Sequence, residues 1–459
     1  MRGPFEPAMT VAIEYFDDIG KLQADPRATL ALAQAHAPFD RPEWWALLQR
    51  ECGIDPIVAL AVDGERALVW PLARTGRSSR SLANFYSFTA RPLASGPDAL
   101  AELVTPLARD LRRRFSRLTL DRLPVESGVV EPLCEALRGA GWSVSCEQDD
   151  TNHWLDVDGR TFEDYFAGRP GRLRSTIARK GRKVVTETTR FVDDARWRSY
   201  EAIYRASWKP EEASFSFWRA FAEAEAAEGR LRFGFAYDAD ERPIAAQLWT
   251  VERATAYIHK LAHLPDAERL SPGSVLTATM MRDAIDEDHV NTVDFGTGDD
   301  GYKRDWMEGA RPRYRIEAHD PRHWRNWPVL VRNALKARLA GGEKGGYRPA
   351  NAAEGAPMAT SHATENAIES AIDDPVDAKL RQVLADILAL DAERVAAFDA
   401  ETGLFGHLPE LDSQAVATLL TEIEDRFEIV IDDEDVDGEM LETFGGLRDF
   451  VRAKCAAAA

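Results

Sequence analysis

The chain has 459 residues, 45% of them hydrophobic and 29% charged, a globular composition that excludes wholesale disorder and suits about three domains. No run nears the roughly 20 apolar residues of a membrane helix, and residues 1–6 open no secretion signal, so a cytoplasmic setting is expected. The net charge of −20 speaks against nucleic acid or anionic lipid as a partner, and four scattered cysteines (Cys52, Cys134, Cys146, Cys455) speak against a disulfide framework or a structural zinc site.

From the N-terminus onward, the hydrophobic pattern predicts a strand at 57–62, helices at 99–115, 196–209 and 215–228, strands at 231–237 and 254–261, a helix at 274–287 and a short strand at 293–295. The body is therefore mixed α/β. One theme occurs twice: helix, strand, polar turn (63–65 and 238–241), strand. It divides the body into two similar subdomains, 10–150 and 151–340, with 149–152 as the joint. Residues 341–374 open Gly-Gly-Glu-Lys-Gly-Gly and hold almost no large apolar side chain, the composition of a flexible linker. A flexible chain of that length spans ~30 Å on average and ~110 Å at full stretch.

Residues 375–455 form a separate, acidic module. From Val376 onward 20 acidic residues stand against 7 basic ones, a net −13, compared with −7 for everything before. Val376, Leu380, Val383, Leu384, Ile387 and Leu388 recur at helical spacing, and a long loop anchored by Phe398, Leu404, Phe405 and Leu408 follows. Asp412-Ser413 then opens a second helix with Val416, Leu419, Leu420, Ile423 and Phe427 on its inner face. A short helix is expected near 433–441, and a last one after Thr443 as its N-cap. This four-helix pattern resembles an acyl carrier protein. The resemblance implies that Ser413 carries 4′-phosphopantetheine, attached by a phosphopantetheinyl transferase and loaded by an acyl ligase or synthase. It also makes Glu422, Glu424, Asp425 and Glu428 the acidic face that partners read. A serine at a helix start suits a phosphodiester, because free N–H groups and the positive end of the helix dipole point at it. Pro409, Glu410 and Gln414 replace the Leu, Gly and Leu of the usual motif.

In the body, five stretches carry a second resemblance: 206–211 (Ala-Ser-Trp-Lys-Pro-Glu), 243–249 (Pro-Ile-Ala-Ala-Gln-Leu-Trp), 258–263 (Ile-His-Lys-Leu-Ala-His), 270–274 (Leu-Ser-Pro-Gly-Ser) and 294–306 (Asp-Phe-Gly-Thr-Gly-Asp-Asp-Gly-Tyr-Lys-Arg-Asp-Trp). They resemble GCN5-related N-acetyltransferases (GNAT), and more closely the CelD-type and FemAB-related branch found beside polysaccharide genes. The resemblance implies a tandem of GNAT-like subdomains, the first degenerate, and makes Tyr302 the acid that returns a proton to a leaving thiolate. A phenol of pKa ~10 is apt for a thiolate of pKa ~8.5. Asp299 or Asp300 is placed to accept a proton from an attacking ammonium, and Lys303 to bind a substrate carboxylate or phosphate. Around the helix start at 269–274, Arg269, Ser271, Gly273 and Ser274 are candidates for cradling a donor phosphate. Lys260, Gln247 and Trp208 are expected to line the substrate cleft, and backbone N–H groups near 261–264 to hold an oxyanion. His259 and His263 sit ~13 Å apart on one strand, too far to share a metal ion, and read as structural. The seven positive charges of 169–183 form either a solvated helix face or a dock for the acidic carrier, an anionic glycan or a lipid-linked substrate.

The combined expectation is an α/β (α+β) protein: tandem GNAT-like mixed-sheet subdomains, a flexible linker and a four-helix acyl carrier domain. Its expected activity moves an acyl group from the tethered phosphopantetheine thioester to a small-molecule amine, an amino sugar or amino acid derivative, in a setting such as exopolysaccharide synthesis. Two alternatives stand beside it. Either acyl-CoA or aminoacyl-tRNA is the donor and the carrier serves another enzyme, or the body is non-catalytic and only recruits the carrier.

Overall fold

The computed structural model describes residues 11–323, 326–327, 329–330, 375–388, 390–404, 408, 411, 413–427, 429, 439–441 and 443–458. The linker expected at 341–374 lies outside these residues, as do Phe405, Asp412, Glu428 and the 433–438 part of the short carrier helix. Residues 11–140 and 146–317 form one unit, the body; residues 141–145 and those from 318 onward belong to a second.

The strands are β1 (Ala12–Phe16), β2 (Val58–Asp63), β3 (Arg66–Trp70), β4 (Leu72–Thr75), β5 (Ser78–Ser81), β6 (Leu93–Ala94), β7 (Arg117–Pro124), β8 (Ser143–Asp156), β9 (Val185–Thr189), β10 (Leu231–Tyr237), β11 (Pro243–Glu252), β12 (Thr255–His263), β13 (Thr292–Thr297) and β14 (Gly309–His319). The body helices are α1 (Ile19–Ala24), α2 (Thr29–Leu32), α3 (Pro42–Cys52), α4 (Pro97–Arg114), α5 (Val130–Gly139), α6 (Phe162–Ala167), α7 (Gly171–Lys180), α8 (Asp194–Ala206), α9 (Phe215–Ala227), α10 (Pro272–Arg282) and α11 (Gly301–Trp306). One sheet has the order β1-β2-β3-β6; the other runs β4-β5-β7-β14-β8-β13-β12-β11-β10-β9. Every strand and helix expected in the body from periodicity is present, with ends shifted by a few residues.

The repeated theme appears as α3-β2-β3 and α9-β10-β11. The two repeats face each other through their helices: the Trp44 ring of α3 meets Phe217 and Phe221 of α9 edge-on, each at 5.0 Å between centroids. Trp44, Leu48, Phe217, Trp218 and Phe221 are buried in one apolar core drawn from both halves. Truncating one such aromatic to alanine costs about 3–5 kcal/mol. The joint expected at 149–152 is corrected: these residues lie inside β8, a continuous strand of 14 residues. Their polarity misleads because it is used within the sheet; Asn152 is buried and donates to Asp294 Oδ1 at 2.7 Å.

The C-terminal module, taken by itself, holds α12 (Pro375–Leu388), α13 (Ala392–Ala396), α14 (Ser413–Phe427) and α15 (Phe444–Ala458). Leu380, Val383 and Leu384 of α12, Leu419, Leu420 and Ile423 of α14, and Phe444, Leu447 and Val451 of α15 share one core, with Phe398 and Leu404 of the loop. Thr443 caps α15, its Oγ1 accepting the Gly446 N–H at 3.1 Å. The short α13 was not anticipated; Asp391 caps it by accepting the Arg394 N–H at 2.7 Å.

Candidate active site

Two register events on neighbouring strands open the site. Against β11, Leu248 faces Lys260 while Trp249 faces Ile258, so His259 is the extra residue of a bulge in β12. On its other edge, β12 runs parallel to β13 and pairs with it only through Thr255–Thr292, Ala256–Val293 and Tyr257–Asp294. Beyond that point the strands part. The cause is local to β13: the Asp294 carboxylate accepts the Gly296 N–H at 2.8 Å, and Gly296 adopts a positive φ of 71°. A cleft of about 620 Å³ fills the gap, bordered by the far end of β12 and by Phe295–Thr297.

Tyr302, Asp300 and Lys303 border this cleft, as do Ser271, Gly273, Ser274, Lys260 and Trp208. The Tyr302 hydroxyl lies 2.9 Å from Thr277 Oγ1. Gln247 Nε2 donates to that oxygen at 2.7 Å, and Thr277 in turn donates to Gly273 O at 2.9 Å. The only hydrogen left for the Tyr302–Thr277 contact is the phenolic one, so Tyr302 donates. Burial pushes the Tyr302 phenol above its ordinary value, so it is protonated at neutral pH. Lys303 donates to Thr297 O, and burial lowers its amine. Asp300 is the N-cap of α11, accepting the Lys303 N–H at 3.0 Å, with its carboxylate still exposed. Ser271 starts α10 from a left-handed conformation (φ 49°) and receives Lys180 Nζ of α7 at 2.7 Å. At Gly273 an added Cβ would lie 3.3 Å from the His263 ring, so the backbone approaches closely there.

Three expected residues are not among those bordering the cleft. Gln247 is fully buried, tying Thr277 and Gly273 to the sheet and accepting from Trp249 Nε1 at 2.9 Å. Asp299 is held between His153 Nε2 at 2.9 Å and Arg304 at 2.6 Å. Arg269 is exposed on the turn before α10. Of the basic run, Arg172 pairs with Asp305 at 2.9 Å and Arg169 with Glu308, while Arg174, Arg179, Arg182 and Lys183 are exposed. His259 Nε2 contacts Thr250 Oγ1 at 2.8 Å, and His263 Nδ1 contacts Leu264 O at 3.1 Å.

Residues 171–304 match the family model described as an acetyltransferase (GNAT) domain, and residues 378–451 match that of a phosphopantetheine attachment site. A holo acyl carrier protein from Nitrosomonas europaea is 37% identical over 18% of this chain and 95% of its own, with a TM-score of 0.17. The chain carries a GNAT acetyltransferase domain followed by a phosphopantetheine attachment domain. FemX is similar in structure at 10% identity, covering 66% of this chain and 96% of its own at a TM-score of 0.47. L-PGS from Bacillus licheniformis is similar at 11% identity, covering 71% and 97% at a TM-score of 0.43. No curated protein matches the chain.

For the carrier part of this acyltransferase, Ser413 is the first residue of α14, a helix of 15 residues. A helix start of that length offers unpaired N–H groups and the positive dipole end, which fits a phosphodiester. In the transferase part, the sequence reading missed Glu212, Phe85 and Phe88. Glu212 is buried beside the cleft, accepting from Tyr86 and from Lys260. Lys260 Nζ is ringed by Tyr86, Tyr204 and Trp218 at 4.8, 5.2 and 4.8 Å from their centroids. Burial lowers the Lys260 amine, and the Glu212 carboxylate opposes that shift. Glu212 lies one residue past the quoted 206–211 stretch, so a signal was at hand. Phe85 and Phe88 come from the first half of the body, about 200 residues from Gly296, and no local pattern marks them.

Proposed function

We propose that this GNAT acyltransferase takes its acyl group from its own carrier domain and passes it to a primary amine of the amino sugar or amino acid class. The observation that supports this most is the parting of β12 and β13 beside Tyr302, in a chain that also carries a phosphopantetheine attachment domain. Ser413 would hold the arm, which when attached supplies the acyl group as a thioester. The Leu264 N–H is used by Ile244 O at 2.9 Å, so it is not available to an oxyanion. N–H groups alternate along a strand, which turns those of Leu261 and His263 toward the open edge, where they stabilise negative charge on the acyl oxygen. Asp300, the exposed carboxylate at the cleft, takes a proton from the incoming ammonium. Tyr302 Oη gives its proton to the departing sulfur, turning away from Thr277 to do so.

Single-turnover transfer from the loaded full chain to a panel of amines tests this. The expected result is acylated amine at a rate set by the loaded carrier, with Ser413→Ala neither gaining the mass of the arm nor transferring. Transfer by Ser413→Ala supplied with acyl-CoA, at the rate of the loaded wild type, would favour free acyl-CoA as donor and defeat the carrier-donor reading.

A further inference from the structure

Three lysines border the cleft, and their surroundings differ. Lys260 is paired with Glu212, and Lys303 donates to Thr297 O. Lys209 Nζ has no carboxylate at ion-pair distance and no hydrogen-bond acceptor among the described residues; it lies over the Trp208 ring, with the centroid at 5.6 Å. Asp300 and Glu212 attract it from farther away, and burial lowers its amine against them. Pro210 follows directly and disfavours helical backbone at Lys209, which lies in a bend, so the side chain is presented from a restrained segment. A half-buried ammonium with no carboxylate in direct contact costs free energy that a bound anion would return.

A second observation converges on the same spot. Among the described residues, the exposed large hydrophobic side chains are Leu30, Phe85, Val185, Phe191 and Trp208. Two of them, Phe85 at 62% and Trp208 at 56% exposure, stand on this one cleft. Trp208 packs against His263, with ring centroids 4.3 Å apart, and its exposed part is available to an apolar or ring-shaped group.

We propose that Lys209 binds an anionic group, carboxylate or phosphate, carried by the acyl acceptor, while Trp208 packs on the part of the acceptor next to it. The acceptor class is thus narrowed to amines that bear a negative charge. This rests on the acyl-transfer reading, but its test does not use turnover. Inorganic phosphate and acetate are titrated separately into the full-length chain, with binding followed by ligand-observed NMR. At least one anion saturates the wild type. Lys209→Gln weakens that binding roughly tenfold, the worth of one charge-assisted hydrogen bond, and Lys209→Arg retains it. Lys180→Gln and Arg182→Gln leave it unchanged, and all variants keep the wild-type melting temperature. Which of the two probes binds distinguishes a phosphorylated acceptor from a carboxylate. The proposal is overturned if neither anion saturates the wild type, if Lys209→Gln binds like wild type, or if Lys180→Gln removes the binding. It is likewise overturned if free 4′-phosphopantetheine displaces the anion, because the subsite then belongs to the donor.

Discussion

Tyr302 donates a hydrogen bond to a threonine whose own proton is already committed to Gly273 O. Replacing it with phenylalanine leaves the ring packed against Phe295 and removes only the proton. Tyr302→Phe is therefore expected to lower the single-turnover rate by ~10²–10⁴-fold with little change in stability. An unchanged rate would remove Tyr302 from the acid role. His259 gives a pH prediction. Burial among Phe39, Trp44, Phe88 and Trp218 pushes it down from 6.5 to about 3. The unfolded chain takes up this proton near pH 6.5 while the folded chain resists it until about 3, so stability is full above 6.5 and falls as the pH drops through that window. The loss reaches about 2 kcal/mol near pH 5. Urea denaturation of wild type and His259→Gln at neutral pH and near pH 5 measures it; the variant should lose less on acidification.

At the level of strands and turns, the cleft depends on β13 leaving β12 at Gly296. An alanine there would have to hold φ at 71° and would bring Cβ to 2.8 Å from the Phe88 ring. The backbone conformation alone costs about 1 kcal/mol, and the collision adds a further 1–3 kcal/mol. Gly64 offers a control: its φ is 59°, but an added Cβ meets nothing within 4 Å. Thermal unfolding should therefore show Gly296→Ala clearly less stable than Gly64→Ala, and the excess reports the collision with Phe88. Equal losses would mean that Phe88 yields freely and does not shape the cleft.

For the chain as a unit, the joining of carrier and transferase makes a kinetic prediction. Tethering replaces a bimolecular encounter by an effective concentration in the roughly millimolar range. Single-turnover transfer in the loaded wild type should be independent of protein concentration. A loaded Tyr302→Phe chain mixed with Ser413→Ala should transfer only in trans, with a rate that rises with concentration. A wild-type rate that also rises with concentration would show that carriers serve neighbouring molecules instead.

Periodicity was enough to place four strands (β2, β10, β12, β13) and four helices (α4, α8, α9, α10) of the body, and α12 and α14 of the carrier. It records which face of an element is apolar, and that is settled within ten or so residues. Local motifs were enough for Ser413 at the head of α14 and for Tyr302, Lys260, Trp208, Ser271 and Gly273 at the cleft, because each belongs to a short stretch whose own neighbours fix its strand, turn or helix start. Which side chains meet across the fold followed no such rule. Gln247 and Asp299 are as polar in sequence as their cleft-lining neighbours, yet one is drawn under α10 by Thr277 and the other is claimed by His153 and Arg304. Phe88 reaches Gly296, and Glu212 reaches Tyr86, because the two halves share a core and a sheet. Contacts between residues more than a hundred positions apart depend on how two faces dock, and no single stretch of chain contains that information.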